Sequence, residues 1–220
     1  MKLSEIKKDI PKELYDIISK EFKELRPAQE KAVKKGLLQG KNLIICTPTA
    51  SGKTLIAELA AMSRIYKNIG KAIYIVPLKA LANEKYKDFK NKYKDIKVAL
   101  SIGDLDSSDS YLEKYDFIIT TSEKLDSLTR HHAPWLQHVG TIIIDEIHLL
   151  NDYGRGPTLE ILITILRKLL KKAQFIGLSA TIGNPKQLAS WLDANLVVDN
   201  WRPVELKKGV YLKGEVEFYK

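Results

Sequence analysis

The chain has 220 residues, a formal charge of +9, 45% apolar side chains and 29% charged ones. That balance suits one large α/β domain with a buried core. A lone cysteine, Cys46, excludes an internal disulfide framework and a cysteine-cluster zinc site. No apolar run approaches the roughly 20 residues of a membrane helix, and the opening MKLSEIKKDI has no secretory apolar stretch. A soluble, cytoplasmic enzyme domain with no membrane partner is expected.

The first two predicted elements are short amphipathic helices, Leu14–Phe22 and Pro27–Leu38, the second opening on proline and stopping near Gly40. Apolar runs of strand length follow at Asn42–Thr47, Ala72–Pro77, Lys97–Ile102, Asp116–Thr121, Thr141–Asp145, Gln174–Ser179 and Leu196–Val198. Between them lie helical patterns at Lys53–Tyr66, Leu78–Lys92, Ser122–Arg130, Thr158–Leu170 and Pro185–Leu192. The strands are nearly continuous in Ile, Val and Leu, as parallel strands covered on both faces require. Strand and helix in alternation predict right-handed βαβ units, hence an open, mainly parallel α/β sheet with helices on both faces. Pro203–Leu212 reads as an extended segment leaving the domain, with an abrupt end to the chain soon after.

Ligands of such sheets bind beyond the carboxyl ends of the strands, and each candidate polar cluster falls where a strand has just ended. The first is Thr47, Pro48, Thr49, Ala50, Ser51, Gly52, Lys53 and Thr54. Small residues and then Gly-Lys-Thr at a strand-to-helix turn make a phosphate-binding loop, because backbone N–H groups can then curl around phosphates. Lys53 would reach the β- and γ-phosphates and the Thr54 hydroxyl would hold Mg²⁺. The usual first glycine is Thr47 here. The second cluster follows three isoleucines, Ile142 to Ile144, and consists of Asp145 and Glu146. Asp145 would bind Mg²⁺ opposite Thr54, and Glu146 would act as general base on the attacking water. Adjacent residues of a strand face opposite sides, so the two carboxylates should differ in role.

Charge adds a third signal. Ten basic residues against three acidic ones between Arg64 and Lys97 give +7, and four against eleven between Ser101 and Glu160 give −7. That asymmetry would suit a phosphate-backbone binder, although on charge alone a well-solvated lysine-rich helix is the plainer reading; Lys85, Lys87, Lys90 and Lys94 read that way. Cys46, Trp135 and Trp191 read as core packing, and His131 and His132 lack further metal ligands. Asp104–Asp109, with its serines, reads as a mobile acidic loop, of which only the Gly103-Asp104 end would border the path of a bound nucleic acid.

Six segments in order resemble the motifs of superfamily-two helicases: Leu25–Gln29 the Q motif, Thr47–Thr54 motif I, Val76–Asn83 motif Ia, Thr120–Lys124 motif Ib, Asp145–His148 motif II and Ser179–Thr181 motif III. Arg155–Glu160 and Trp201–Val204 are similar to the Ski-two-like branch, with archaeal fork-repair DNA helicases of the Hjm type as the nearest group. The resemblance implies a RecA-like domain that binds ATP and Mg²⁺. In it Gln29 would hydrogen-bond adenine, with Phe22 or Arg26 packed near the base. His148, Ser179 and Thr181 would link the γ-phosphate to the nucleic-acid face. Lys79, Asn83, Gly103, Thr121 and Lys124 would touch the sugar-phosphate backbone of single-stranded or forked DNA, with RNA as the alternative. It further implies helices with the Q motif over 1–40, a first motor domain over 41–200, and a segment over 201–220 leading to a second motor domain and C-terminal domains. Two rival classes are a phosphate-loop kinase or GTPase, and an ATP-switched nucleic-acid-binding module without turnover.

Overall fold

A computed structural model describes residues 1–103, 109–205 and 207–219. Seven strands form one sheet: β1 (Leu43–Cys46), β2 (Lys71–Val76), β3 (Val98–Ser101), β4 (Phe117–Thr121), β5 (Val139–Ile144), β6 (Gln174–Ser179) and β7 (Asn195–Val198). Their order is β3-β4-β2-β5-β6-β1-β7, and every pairing is parallel. The carboxyl ends are level: Cys46 pairs with Ser179 and Val198, Ile75 with Ile144, and Val76 with Thr121.

Helices α1 (Lys12–Ile18), α2 (Pro27–Lys34), α3 (Lys53–Tyr66) and α4 (Lys79–Lys92) share one apolar cluster with the sheet, which includes Leu14, Ala28, Leu59, Tyr74, Phe89 and Ile143. Helices α5 (Ser122–Arg130), α6 (Gly156–Leu169) and α7 (Pro185–Trp191) cover the opposite face, with Trp135, Ile142, Ile144, Leu162 and Leu192 among the residues packed there. Cys46 and Trp135 are buried and Trp191 packs against this second cluster, as expected of core residues. The amino-terminal segment is part of the first core, because Leu3, Ile6, Leu14 and Ile18 are all buried in it.

The sequence places the strands within a residue or two, but two helices stop early. The first ends at Ile18 rather than Phe22, whose N–H closes the last turn on the Ile18 carbonyl. The second ends at Lys34 rather than Leu38. Gly36 takes φ +95, and the Leu37 N–H reaches back to the Ala32 carbonyl at 3.1 Å, a helix-ending wrap that only glycine adopts cheaply. Of the segment read as extended, Gly209–Leu212 is strand while residues 203 and 204 bend, and the chain turns back on itself: β8 (Gly209–Leu212) and β9 (Glu215–Phe218) make an exposed antiparallel hairpin. At the amino-terminal edge of the sheet Gly70 lies against the backbone of His138 and Gly140, so close that a Cβ on Gly70 would sit 2.7 Å from the His138 carbonyl oxygen. No helix among the described residues is long and apolar enough to cross a membrane.

Candidate functional site

The β1–α3 turn is tied together from within. The Thr47 N–H donates to the Ser179 carbonyl at 3.2 Å, extending the β1–β6 ladder by one rung, and the Thr47 and Ser51 hydroxyls lie 2.6 Å apart. Thr47 needs no positive φ, so a β-branched residue is tolerated there; Ala50 (φ +63) and Gly52 (φ +91) carry the left-handed turns instead. Lys53 folds over the loop, its ammonium donating to the Thr47 carbonyl at 3.1 Å and the Pro48 carbonyl at 3.5 Å. The free N–H groups at the start of α3 open toward the same turn.

Gln29 is buried and engaged at both ends of its amide. Its Nε2 donates to the Gly52 carbonyl at 3.0 Å, and its Oε1 accepts the Arg26 N–H at 2.8 Å. The side chain expected to face adenine thus serves the phosphate loop here. Arg26 donates to the Ala50 carbonyl at 2.7 Å and stacks 5.5 Å from the Trp201 ring. Phe22 packs instead beside the Lys92 ammonium, 5.5 Å from its ring centre.

The second cluster stands two strands away at the same edge, about 10 Å across the sheet at the usual strand spacing. Asp145 continues the side of β5 that carries Ile143, toward α3. Its Oδ2 accepts the Tyr74 hydroxyl at 2.9 Å and its Oδ1 the Glu146 N–H at 3.0 Å. Glu146 takes φ +51 and begins a short 3-10 turn, Ile147–Asn151. That turn brings His148 Nδ1 within 3.2 Å of Glu146 Oε2, close without the alignment of a hydrogen bond. Between the two clusters β6 ends at Ser179, whose buried hydroxyl has no well-aligned hydrogen-bond partner among the described residues. Thr181, two residues on, is exposed. Burial pushes the Cys46 thiol up, opposed only in part by the Ser179 hydroxyl and the Lys53 charge, which leaves it inert core.

The residues expected on nucleic acid lie along the other half of the edge, after β2, β4 and β3. Lys79, at the first turn of α4, is exposed, as are Asn83 and Gly103; Asn83 donates back to the Lys79 carbonyl at 2.9 Å. Two of the five are otherwise occupied. Thr121 is buried and caps α5, accepting the Lys124 N–H at 3.4 Å. Lys124 corrects the sequence reading: it is 2% exposed and paired with Asp109 at 3.1 Å, so its charge holds the fold and is not presented to a ligand. Residues 104–108 of the expected acidic loop lie outside the described residues.

Three site neighbours escaped the sequence reading. Tyr74 lies among scattered tyrosines with no pattern to mark it. Lys85, read as a solvated lysine, donates to the Thr54 hydroxyl at 3.4 Å; nothing in its spacing sets it apart from the other lysines of α4. Arg155 donates to the Pro77 carbonyl at 3.3 Å, bracing the loop after motif II against the root of α4.

A phosphate loop and an acidic strand end on one edge of an all-parallel sheet define a RecA-like nucleotide-binding domain. The family description "DEAD/DEAH box helicase" matches residues 26–188, about three quarters of the chain, and the chain belongs to that family. The ATP-dependent DNA helicase Hel308 of Pyrococcus horikoshii is 50% identical over 218 residues, covering 98% of this chain and 30% of that protein. Its namesake in Methanocaldococcus jannaschii is 57% identical over 203 residues, 89% of this chain and 17% of its own length. A crystal structure of the DUF1998 helicase MrfA bound to DNA and AMPPNP is similar at a TM-score of 0.75 and 29% identity, over 87% of this chain and 29% of that one. The chain therefore spans less than a third of the relatives named here.

Proposed function

We propose that this chain is the amino-terminal ATP-binding motor domain of an ATP-dependent DNA helicase that acts in replication-fork repair. The observation that carries the reading is the convergence of two clusters on one sheet edge. Lys53 and Thr54 follow β1, Asp145 and Glu146 follow β5, and only β6 lies between. A kinase or GTPase would need its own acceptor- or guanine-reading elements, whereas Asp145 and Glu146 followed by Ser179, Ala180 and Thr181 fit a translocase. DNA is favoured over RNA because the similar proteins are named DNA helicases and the similar MrfA structure holds DNA.

The donor chemistry suits magnesium. A hydroxyl at Thr54 and a carboxylate at Asp145 are hard oxygen ligands, and Mg²⁺ typically takes one or two protein oxygens and completes its shell with water and substrate phosphates. Among the described residues no cluster of three His, Cys, Asp or Glu competes as a metal cage. When bound, Mg²⁺ supplies charge neutralisation across the β- and γ-phosphates. Lys53 exchanges its two loop carbonyls for phosphate oxygens, and the N–H groups opening α3 donate to the same anion. Glu146 takes the proton of the attacking water. His148 sits beside Glu146, with Ser179 and Thr181 on the neighbouring strand end. There they can register loss of the γ-phosphate and pass it toward Lys79, Asn83 and Gly103.

Residues 41–200 form the motor domain in this reading, with 1–40 packed on it and 201–220 leading into further sequence. A second motor domain would supply the arginines that stabilise phosphoryl transfer, worth roughly 10³–10⁵ in rate. The test is equilibrium binding of a fluorescent ATP analogue to this chain, set beside DNA-stimulated hydrolysis by the longer protein. Mg²⁺-dependent binding, with slow hydrolysis in the short chain, is expected. Vigorous DNA-stimulated turnover by the short chain, or a preference for GTP, would contradict the assignment.

A further inference from the structure

We propose that Tyr74 is a positioning residue for Asp145, so that β2 sets the geometry with which the β5 carboxylate meets magnesium. The inference rests on the magnesium–nucleotide reading given above. Tyr74 is fully buried, its ring 5.8 Å from that of Phe89 and 6.2 Å from that of Phe117. Phenylalanine would fill such an aromatic pocket without a polar atom to satisfy. The hydroxyl instead emerges at the edge and donates to Asp145 Oδ2 at 2.9 Å. Because the Glu146 N–H holds Oδ1 at 3.0 Å, both carboxylate oxygens are fixed, and the lone pairs left to a ligand point in set directions. Outer-shell partners of this kind orient metal ligands, and losing one typically costs about 10–100-fold in metal affinity. β2 ends at Val76, and the chain passes through Pro77 and Leu78 into α4 at Lys79, so the residue that holds Asp145 and the exposed start of α4 are close in sequence.

The experiment titrates free Mg²⁺ against binding of a fluorescent ATP analogue to this chain, at equilibrium and without turnover, in parent, Tyr74→Phe and Asp145→Asn forms. Mn²⁺ binding in the presence of ADP, followed by electron paramagnetic resonance, is the second readout. For Tyr74→Phe the metal midpoint is expected to rise about tenfold, with metal-free nucleotide affinity unchanged. A Tyr74→Phe curve that overlies the parent's while Asp145→Asn shifts would overturn the inference and leave the site reading standing. If Asp145→Asn does not shift either, the site reading itself falls. A Tyr74→Phe chain that fails to fold, or loses nucleotide equally with and without metal, also overturns the inference, because the hydroxyl is then a stability element alone.

Discussion

Replacing Gly52 by alanine tests the phosphate loop most directly. Gly52 adopts φ +91 and ψ 32, where an L-residue pays about 1–2 kcal/mol for the crowding of its Cβ. That Cβ would also stand 2.4 Å from Gln29 Nε2 and 3.3 Å from Arg26 Cδ. The amide must then withdraw and give up its bond to the Gly52 carbonyl, a further loss of about 0.5–1.5 kcal/mol. The sum, about 1.5–3.5 kcal/mol, corresponds to a fall in Tm of about 3–14 °C for a domain of this length. Calorimetry reads the stability, and titration with the fluorescent ATP analogue reads the binding, which should weaken because the added methyl group shifts the amides that face phosphate. A Gln29→Ala background separates the two contributions: the steric part vanishes there and the left-handed cost remains. If Gly52→Ala melts within about 1 °C of the parent, or costs the same with and without Gln29, the loop is not held as described.

Lys53→Ala and Asp145→Ala are each expected to abolish ATP hydrolysis and DNA unwinding in the longer protein while circular dichroism stays unchanged; unwinding by either variant would defeat the assignment. Lys79→Ala should lower DNA affinity and reduce the slope of log K against log salt by about one, as measured by anisotropy at several salt concentrations. Lys124→Ala should leave that slope alone and destabilise the fold by about 1–3 kcal/mol, because it removes the cation paired with half-buried Asp109 and leaves that carboxylate with the Ser101 hydroxyl; a denaturant titration decides. Glu30 is held at about 2, below its ordinary 4.5, first by Lys34 and then by the amino terminus. A carboxylate lowered in the folded state stabilises above its unfolded pKa and loses that contribution as the pH falls through the folded one. The Tm difference between parent and Glu30→Gln should therefore be largest near neutrality and close between about pH 4.5 and pH 2.

The sheet was legible because its strands are nearly pure Ile, Val and Leu and each ends in a polar cluster; runs such as Ile142–Ile144 leave little else to infer. Strand order was not legible, since local periodicity says nothing about which strand lies beside which. The Tyr74 hydroxyl and Asp145 are 71 residues apart and meet only because β2 and β5 are neighbours. Lys124 was misread for a related reason. A lysine after a strand is normally solvated, and its partner Asp109 arrives from the segment beyond β3. Gln29 was found by its motif, but its direction was set by the carbonyl of Gly52, a contact that composition cannot supply.

The close pass of Gly70 and Gly140 bears on which carboxylate does which job. Ile142, Ile143 and Ile144 are interchangeable to the apolar layers on either side, so burial alone would tolerate a shift of β5 by one position. Such a shift would turn Glu146 toward α3 and Asp145 away from it, giving a well-packed chain with the proposed base and the proposed metal ligand exchanged. Gly70 acts as a latch at the far end of the strand, because a Cβ there would meet the backbone of His138 and Gly140 at 2.7 and 2.8 Å. A side chain at Gly70 would push the starts of β2 and β5 apart, at the end of the sheet opposite Asp145.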